Sequence, residues 1–87
     1  MEKIWADRAW EEYLSYQEED KKLLRKLNKL IRDIERDPYK GIGKPEPLTG
    51  DWAGFYSRHI TDKHRIIYRI NDGKLEIASC KGHYNDK

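Results

Sequence analysis

The residues with chemistry to offer are few. Glu46 stands between Pro45 and Pro47, Arg58 and Arg65 lie in a stretch of alternating polar and apolar side chains, and His83-Tyr84 follow close behind its end. A carboxylate or imidazole that takes a proton, an arginine that balances extra charge on a phosphate, and a second imidazole or phenol that returns a proton suffice to cleave RNA through its own 2′-hydroxyl. That chemistry needs no cofactor. No Cys and His pairing has the spacing of a zinc site, and neither the serines nor the lone Cys80 carry a nucleophile signature, so metal and acyl-transfer chemistry lack support. Each residue also has a plainer reading. Glu46 fits a solvated loop carboxylate, Arg65 and Arg69 fit cross-strand partners of Asp62 or Glu76, and His83-Tyr84 fit a tail.

The elements that must position these groups divide at Gly41-Ile42-Gly43-Lys44-Pro45-Glu46-Pro47-Leu48. Each proline fixes its own φ and pushes the preceding residue toward extended geometry, so Glu46 sits on a stiff presentation loop. Before this seam the pattern is helical. Lys3-Ile4-Trp5-Ala6 reads as a short strand, Asp7 as an N-cap, and Ala9, Trp10, Tyr13, Leu14 and Gln17 recur at helical spacing. Glu18-Glu19-Asp20 suits the start of another helix, and Leu23, Leu24, Leu27, Leu30, Ile31 and Ile34 form its apolar stripe up to Asp37-Pro38. The Lys and Arg residues between them could track RNA, although a solvated outer face produces the same pattern.

Beyond the seam the period is two. Phe55–Ile60 and His64–Ile70 alternate around a turn at Thr61-Asp62-Lys63, Asn71-Asp72-Gly73 is a tight hairpin signal, and Lys74–Lys81 reads as the last strand. The expected architecture is α+β, in the order β-α-α-β-β-β, with an antiparallel twisted sheet carrying two N-terminal helices on one face. Parity puts Ile66, Tyr68 and Ile70 against the helices and Arg65, Ile67 and Arg69 on the other face. In the last strand, Leu75 and Ile77 compete with Ala78 and Cys80 for burial, and the pattern favours neither set.

Composition bounds the class of partner. Eighty-seven residues make a single domain, residues 1–87, and 39% of them are charged. Three Trp, six Tyr and one Phe supply large apolar surfaces that disordered chains lack. One cysteine rules out an internal disulfide, no apolar run has membrane-spanning length, and the first residues do not read as a signal peptide, so a cytoplasmic home is expected. The net charge is +2, with all three histidines in the second half, which makes that half the expected surface for an anionic partner.

Ile4-Trp5, Trp10, the Gly43–Leu48 run, Gly54-Phe55-Tyr56-Ser57-Arg58, Ile60-Thr61, His64-Arg65 and Cys80 to Tyr84 occur in the order and register of a known group. With these motifs the chain resembles the YoeB (Txe) toxins of the RelE/ParE toxin–antitoxin superfamily, over nearly its whole length. The resemblance implies a RelE-like, microbial RNase-like fold and a ribosome-dependent endoribonuclease that cuts messenger RNA in the aminoacyl site and halts translation. It further implies Glu46 as general base, His83 as general acid, Arg65 as the stabiliser of phosphorane-like charge, and Tyr84 as an orienting group. The implied products are a 2′,3′-cyclic phosphate and a 5′-hydroxyl, formed without metal or other cofactor. Lys44, Arg58, His59 and Lys81 are the expected RNA contacts, and the implied partners are a YefM-like antitoxin, the ribosome with its bound messenger RNA, and a second copy of the chain, with no membrane.

The chain departs from the group's pattern at three places. His59 stands where many members have a second arginine, Thr49 where a lysine is common, and Asn85-Asp86-Lys87 follow Tyr84. Two other readings belong to the same superfamily or composition: a gyrase-inhibiting ParE-like toxin, and a non-catalytic module that binds RNA or antitoxin.

Overall fold

A computed structural model describes residues 1–82. Strand β1 (Lys3–Trp5) leads into helices α1 (Asp7–Glu19) and α2 (Lys21–Arg36), and after the seam come β2 (Glu46–Pro47), a 3-10 turn (Gly50–Trp52), β3 (Tyr56–His59), β4 (Arg65–Asn71) and β5 (Lys74–Ser79). The five strands form one sheet in the order β1-β5-β4-β3-β2. Strands β2 to β5 pair antiparallel as expected, but β1 pairs parallel with β5, so the sheet is mixed. The helices carry the chain to β2 at the far edge, and three antiparallel reversals then bring β5 back beside β1 in the same direction. The α+β class stands.

Local signals explain most boundaries. Asp20 caps α2, its carboxylate accepting the Leu23 amide at 3.1 Å, and α2 ends just before Asp37-Pro38. The expected cap of α1 is different. Ala6 occupies the N-cap position without a side-chain bond, and Asp7 is the first helical residue, where its charge still faces the positive end of the dipole. The β4–β5 hairpin turns through Asp72 and Gly73 at φ 55° and 72°, the positive values that the Asn-Asp-Gly signal demands. The seam holds more structure than a loop: Glu46 and Pro47 pair with Ser57 and Tyr56 as the edge strand β2.

Leu27, Leu30, Ile31 and Ile34 of α2 and Ala9 and Tyr16 of α1 pack on Ile60, Ile66, Tyr68, Leu75, Ile77 and Cys80. Ile66 and Tyr68 therefore face the helices, as parity requires. The ambiguity in β5 has a structural cause. Ile67 lies opposite Ser79 and Tyr68 opposite Ile77, so Ala78 is an extra residue in a bulge. A bulge resets the alternation. Leu75 and Ile77 before it and Cys80 after it all reach the same core.

Candidate active site

Cross-strand register defines the open face. Directly paired residues of antiparallel strands point the same way, so Glu46, Ser57 and Ile67 form one row and His59 and Arg65 the next. Glu46 is exposed on β2, while His59 and Arg65 are half-buried at the facing ends of β3 and β4. The Arg65 guanidinium donates to the Thr61 and Asp62 carbonyls at 3.3 and 3.0 Å, which orients it along the turn between the strands. The His59 amide donates to the Gly43 carbonyl at 2.6 Å, and this bond pins the seam to the strand end. Lys44 follows with φ 54° and an exposed side chain.

The electrostatics tie these groups together. Burial holds His59 below its usual pKa, the charges of Arg65 and Lys44 push it further down, and Glu46 and Asp62 oppose them. His59 is thus a neutral imidazole at physiological pH, able to donate one hydrogen bond and accept another, with two carboxylates and two cations near it.

A groove lies between α2 and the end of β3. It is lined by Arg25, Lys26, Lys29 and Leu30 of α2, by Ile42 and Lys44 of the seam, and by His59, Ile60 and Asp62. The basic residues of α2 and Lys44 thus border the same groove as His59. Among the described residues, no group of three or more His, Cys, Asp or Glu side chains lies close enough to hold a metal ion.

Two expected RNA contacts sit elsewhere. Arg58 is fully buried on the helix side of β3. Its Nε donates to the Tyr68 hydroxyl at 3.0 Å, Nη1 to Asp33 Oδ2 at 2.6 Å and the Ile42 carbonyl at 3.2 Å, and Nη2 to the Asp37 and Lys40 carbonyls at 2.6 and 3.2 Å. Every guanidinium N–H has a partner, so nothing remains for a phosphate. The signal was present in the alternation, since Arg58 shares its parity with Tyr56 and Ile60. Lys81 turns toward α1: its ammonium donates to Ser15 Oγ at 3.1 Å and lies 5.5 Å from the Tyr16 ring centre. Arg69 follows the plainer reading, paired with Glu76 at 2.5 Å and stacked over Phe55. His83 and Tyr84 lie outside the described residues.

Sequence reasoning passed over Ser57. It is fully buried beside Glu46 in the sheet, and its hydroxyl has no hydrogen-bond partner among the described residues. A buried unpaired hydroxyl is uncommon and marks a place where function and stability diverge.

The sequence matches the family described as YoeB-like toxin of bacterial type II toxin-antitoxin system over residues 5–84. The chain belongs to this family of toxins. Toxin YoeB of Escherichia coli (strain K12) is 48% identical over 84 residues, 97% of this chain and 100% of the relative. Among solved structures, the YoeB/ParE toxin from Agrobacterium tumefaciens superposes with a TM-score of 0.94 at 43% identity, covering 97% of this chain and 100% of that one. The heterotetrameric YoeB-YefM toxin-antitoxin complex from Staphylococcus aureus contains a chain that aligns with a TM-score of 0.89 at 41% identity, over 97% of this chain and 98% of that one.

Proposed function

We propose that this toxin is a ribosome-dependent endoribonuclease that cleaves messenger RNA in the aminoacyl site and so inhibits translation. Glu46 takes the proton from the 2′-hydroxyl, that oxygen attacks the adjacent phosphorus, and His83 returns a proton to the departing 5′-oxygen. Arg65 stabilises the charge that builds on the phosphoryl oxygens, and Tyr84 orients the nucleotide. The 2′,3′-cyclic phosphate and 5′-hydroxyl products balance without water or metal entering the step.

The observation that carries this reading is the shared face. Glu46 and Arg65 project from the side of the sheet opposite the helices, in adjacent rows, with His59 directly across from Arg65. An exposed carboxylate is a weak base, so a substrate that excludes water on docking supplies part of its strength. The cationic rim of Arg25, Lys26, Lys29 and Lys44 supports an RNA-rich partner, with binding that weakens steeply as salt rises. A YefM-like antitoxin is the proposed protein partner, by likeness to the Staphylococcus aureus complex.

Mapping the 5′ ends of messenger RNA on translating ribosomes tests the reading. Cleavage confined to the aminoacyl-site codon, abolished by Glu46→Gln and by His83→Gln, is the expected result. Intact messages alongside altered DNA supercoiling would overturn it in favour of gyrase inhibition.

A further inference from the structure

His59 is the last residue of β3, and the strands set its side chain beside that of Arg65. The two residues are directly paired across the β3–β4 ladder, which puts their Cβ atoms about 4.5–5.5 Å apart on the side of the sheet away from the helices. Each is anchored through other atoms. The His59 amide donates to the Gly43 carbonyl at 2.6 Å, and Arg65 Nη1 donates to the Thr61 and Asp62 carbonyls at 3.3 and 3.0 Å. These bonds use neither the imidazole nor the Nε and Nη2 of the guanidinium.

Charge reaches the imidazole from several elements. Among the described residues, Arg65 of β4 and Lys44 of the seam face it as cations, and Glu46 of β2 and Asp62 of the turn as carboxylates. Arg25, Lys26 and Lys29 line the α2 side of the groove that His59 borders. In the free toxin the proton is held off, because burial first, and then Arg65 and Lys44, keep the His59 pKa below its usual value. A phosphate that docks against Arg65 reverses this balance. It brings negative charge within hydrogen-bonding reach of the ring and offsets the same two cations, and an opposite charge at that range favours the protonated form. The neutral ring has one N–H to offer. The imidazolium has two, and its bond to a phosphate oxygen is charge-assisted and about twice as strong.

Resting on the endonuclease reading, we propose that His59 couples the docking of RNA to the uptake of one proton: a phosphate held by Arg65 draws a proton from solvent onto the imidazole, which then donates to that same phosphate. The direction with pH follows from a ring that binds its proton more tightly in the complex than in the free toxin. Affinity rises as pH falls through the value of the bound ring, and it levels off below the lowered value of the free one. A single proton limits the gain to about tenfold per pH unit.

The test measures binding of the full chain to programmed ribosomes whose message carries a 2′-deoxynucleotide at the site of cleavage, so that RNA docks without being cut. The parent, His59→Gln and His59→Arg are compared at pH 6 and pH 8. The parent should bind about tenfold tighter at pH 6. His59→Gln cannot titrate and should lose that gain, any dependence it keeps belonging to other groups. His59→Arg, a permanent cation, should bind at pH 8 as tightly as the parent does at pH 6. Salt gives a second readout that a merely structural histidine would not move. The parent's slope of log affinity against log salt should steepen by about 0.7 between pH 8 and pH 6, the contribution of one cation on a single strand, and that of His59→Gln should change less. The same pH dependence in the parent and in His59→Gln would overturn the coupling and leave the endonuclease reading standing. An all-ribose message left intact by the parent at both pH values overturns the endonuclease reading instead, and with it the purpose assigned to His59.

Discussion

Arg58 and Arg65 are the same residue type on neighbouring strands, and they do opposite work. Arg58 lies on the helix side, fully buried, every N–H engaged by Asp33, Tyr68 and the carbonyls that follow α2. Arg65 lies on the open side, half-buried, and among the described residues its side chain is tied only to two carbonyls of the preceding turn. The first gathers the C-terminal end of α2, the seam and the sheet into one unit. The second keeps donor capacity in reserve. Parity on the strand decides the difference, and burial turns it into a division between stability and chemistry.

The largest effect should come from breaking the buried member. Arg58→Ala takes a donor from the Asp33 carboxylate, the Tyr68 hydroxyl and three carbonyls, and removal of one partner of a buried ion pair costs about 3–5 kcal/mol. For a domain of this size that is a large share of the total stability. Arg58→Lys should rescue little, since one ammonium cannot reach five acceptors in a planar fork. Urea denaturation followed by Trp fluorescence measures both. If Arg58→Ala unfolds at the parental midpoint, the guanidinium is not what joins these segments.

Arg65 should show the reverse pattern. Arg65→Gln removes the cation from the open face and should slow single-turnover cleavage about 100- to 1000-fold, the cost of losing one preorganised donor to a developing oxyanion. Its stability should stay within about 0.5 kcal/mol of the parent, as for other surface changes. A variant that loses stability and activity together would collapse the contrast between the two arginines.

The helix-face network can also be attacked from the backbone. Gly41 has φ 139°, and a Cβ there would fall 1.9 Å from Asp33 Oδ2 and 3.0 Å from Arg58 Nη1. Asp33 cannot easily yield. It also accepts the Ile42 amide at 2.9 Å, and hydrogen bonds from Arg36, Ile42 and Arg58 hold its carboxyl down at about 2. Gly41→Ala should therefore destabilise by about 2 kcal/mol through strain and a displaced carboxylate. Gly50→Ala makes the control, because open space surrounds its Cβ position at φ 65°, also in the positive range. Equal losses would show that backbone conformation alone, and not the Asp33–Arg58 pair, sets the cost.

Much of this contrast was legible in the residues. The apolar stripe of α2, the Asn-Asp-Gly turn and the parity of Ile66 and Tyr68 are local signals, and they gave the helices, the hairpin and the exposed side of Arg65 correctly. Arg58 was misread as an RNA contact because charge outweighed its place between Tyr56 and Ile60. The bulge at Ala78 was invisible because nothing in Ala78-Ser79 marks an extra residue, and the face of β5 stayed open for that reason. The pairing of Glu46 with Ser57 depends on long-range register, and proline-flanked residues read as loop. The turn of Lys81 toward α1 was out of reach for a similar reason, since its partner Ser15 lies far back in the sequence on α1.

The finest test falls on the residue between the two regimes. Ser57 is buried like Arg58 but belongs to the open face like Arg65, and its hydroxyl is unpaired among the described residues. An unsatisfied buried hydroxyl does not contribute the stability that a bonded one does, so Ser57→Ala should leave the denaturation midpoint unchanged or raise stability by up to about 1 kcal/mol. Its Cβ lies directly across from that of Glu46, within the roughly 4.5–5.5 Å of a cross-strand pair, where a hydroxyl can lend its proton to the carboxylate once substrate displaces water. Such a bond would hold the carboxylate in one orientation, and the alanine variant would then cleave more slowly than the parent in single turnovers. If Ser57→Ala instead unfolds more readily, the hydroxyl has a structural partner and Ser57 belongs with Arg58. If stability holds and the cleavage rate falls, it belongs with Arg65, and the boundary between the two faces runs beneath Glu46.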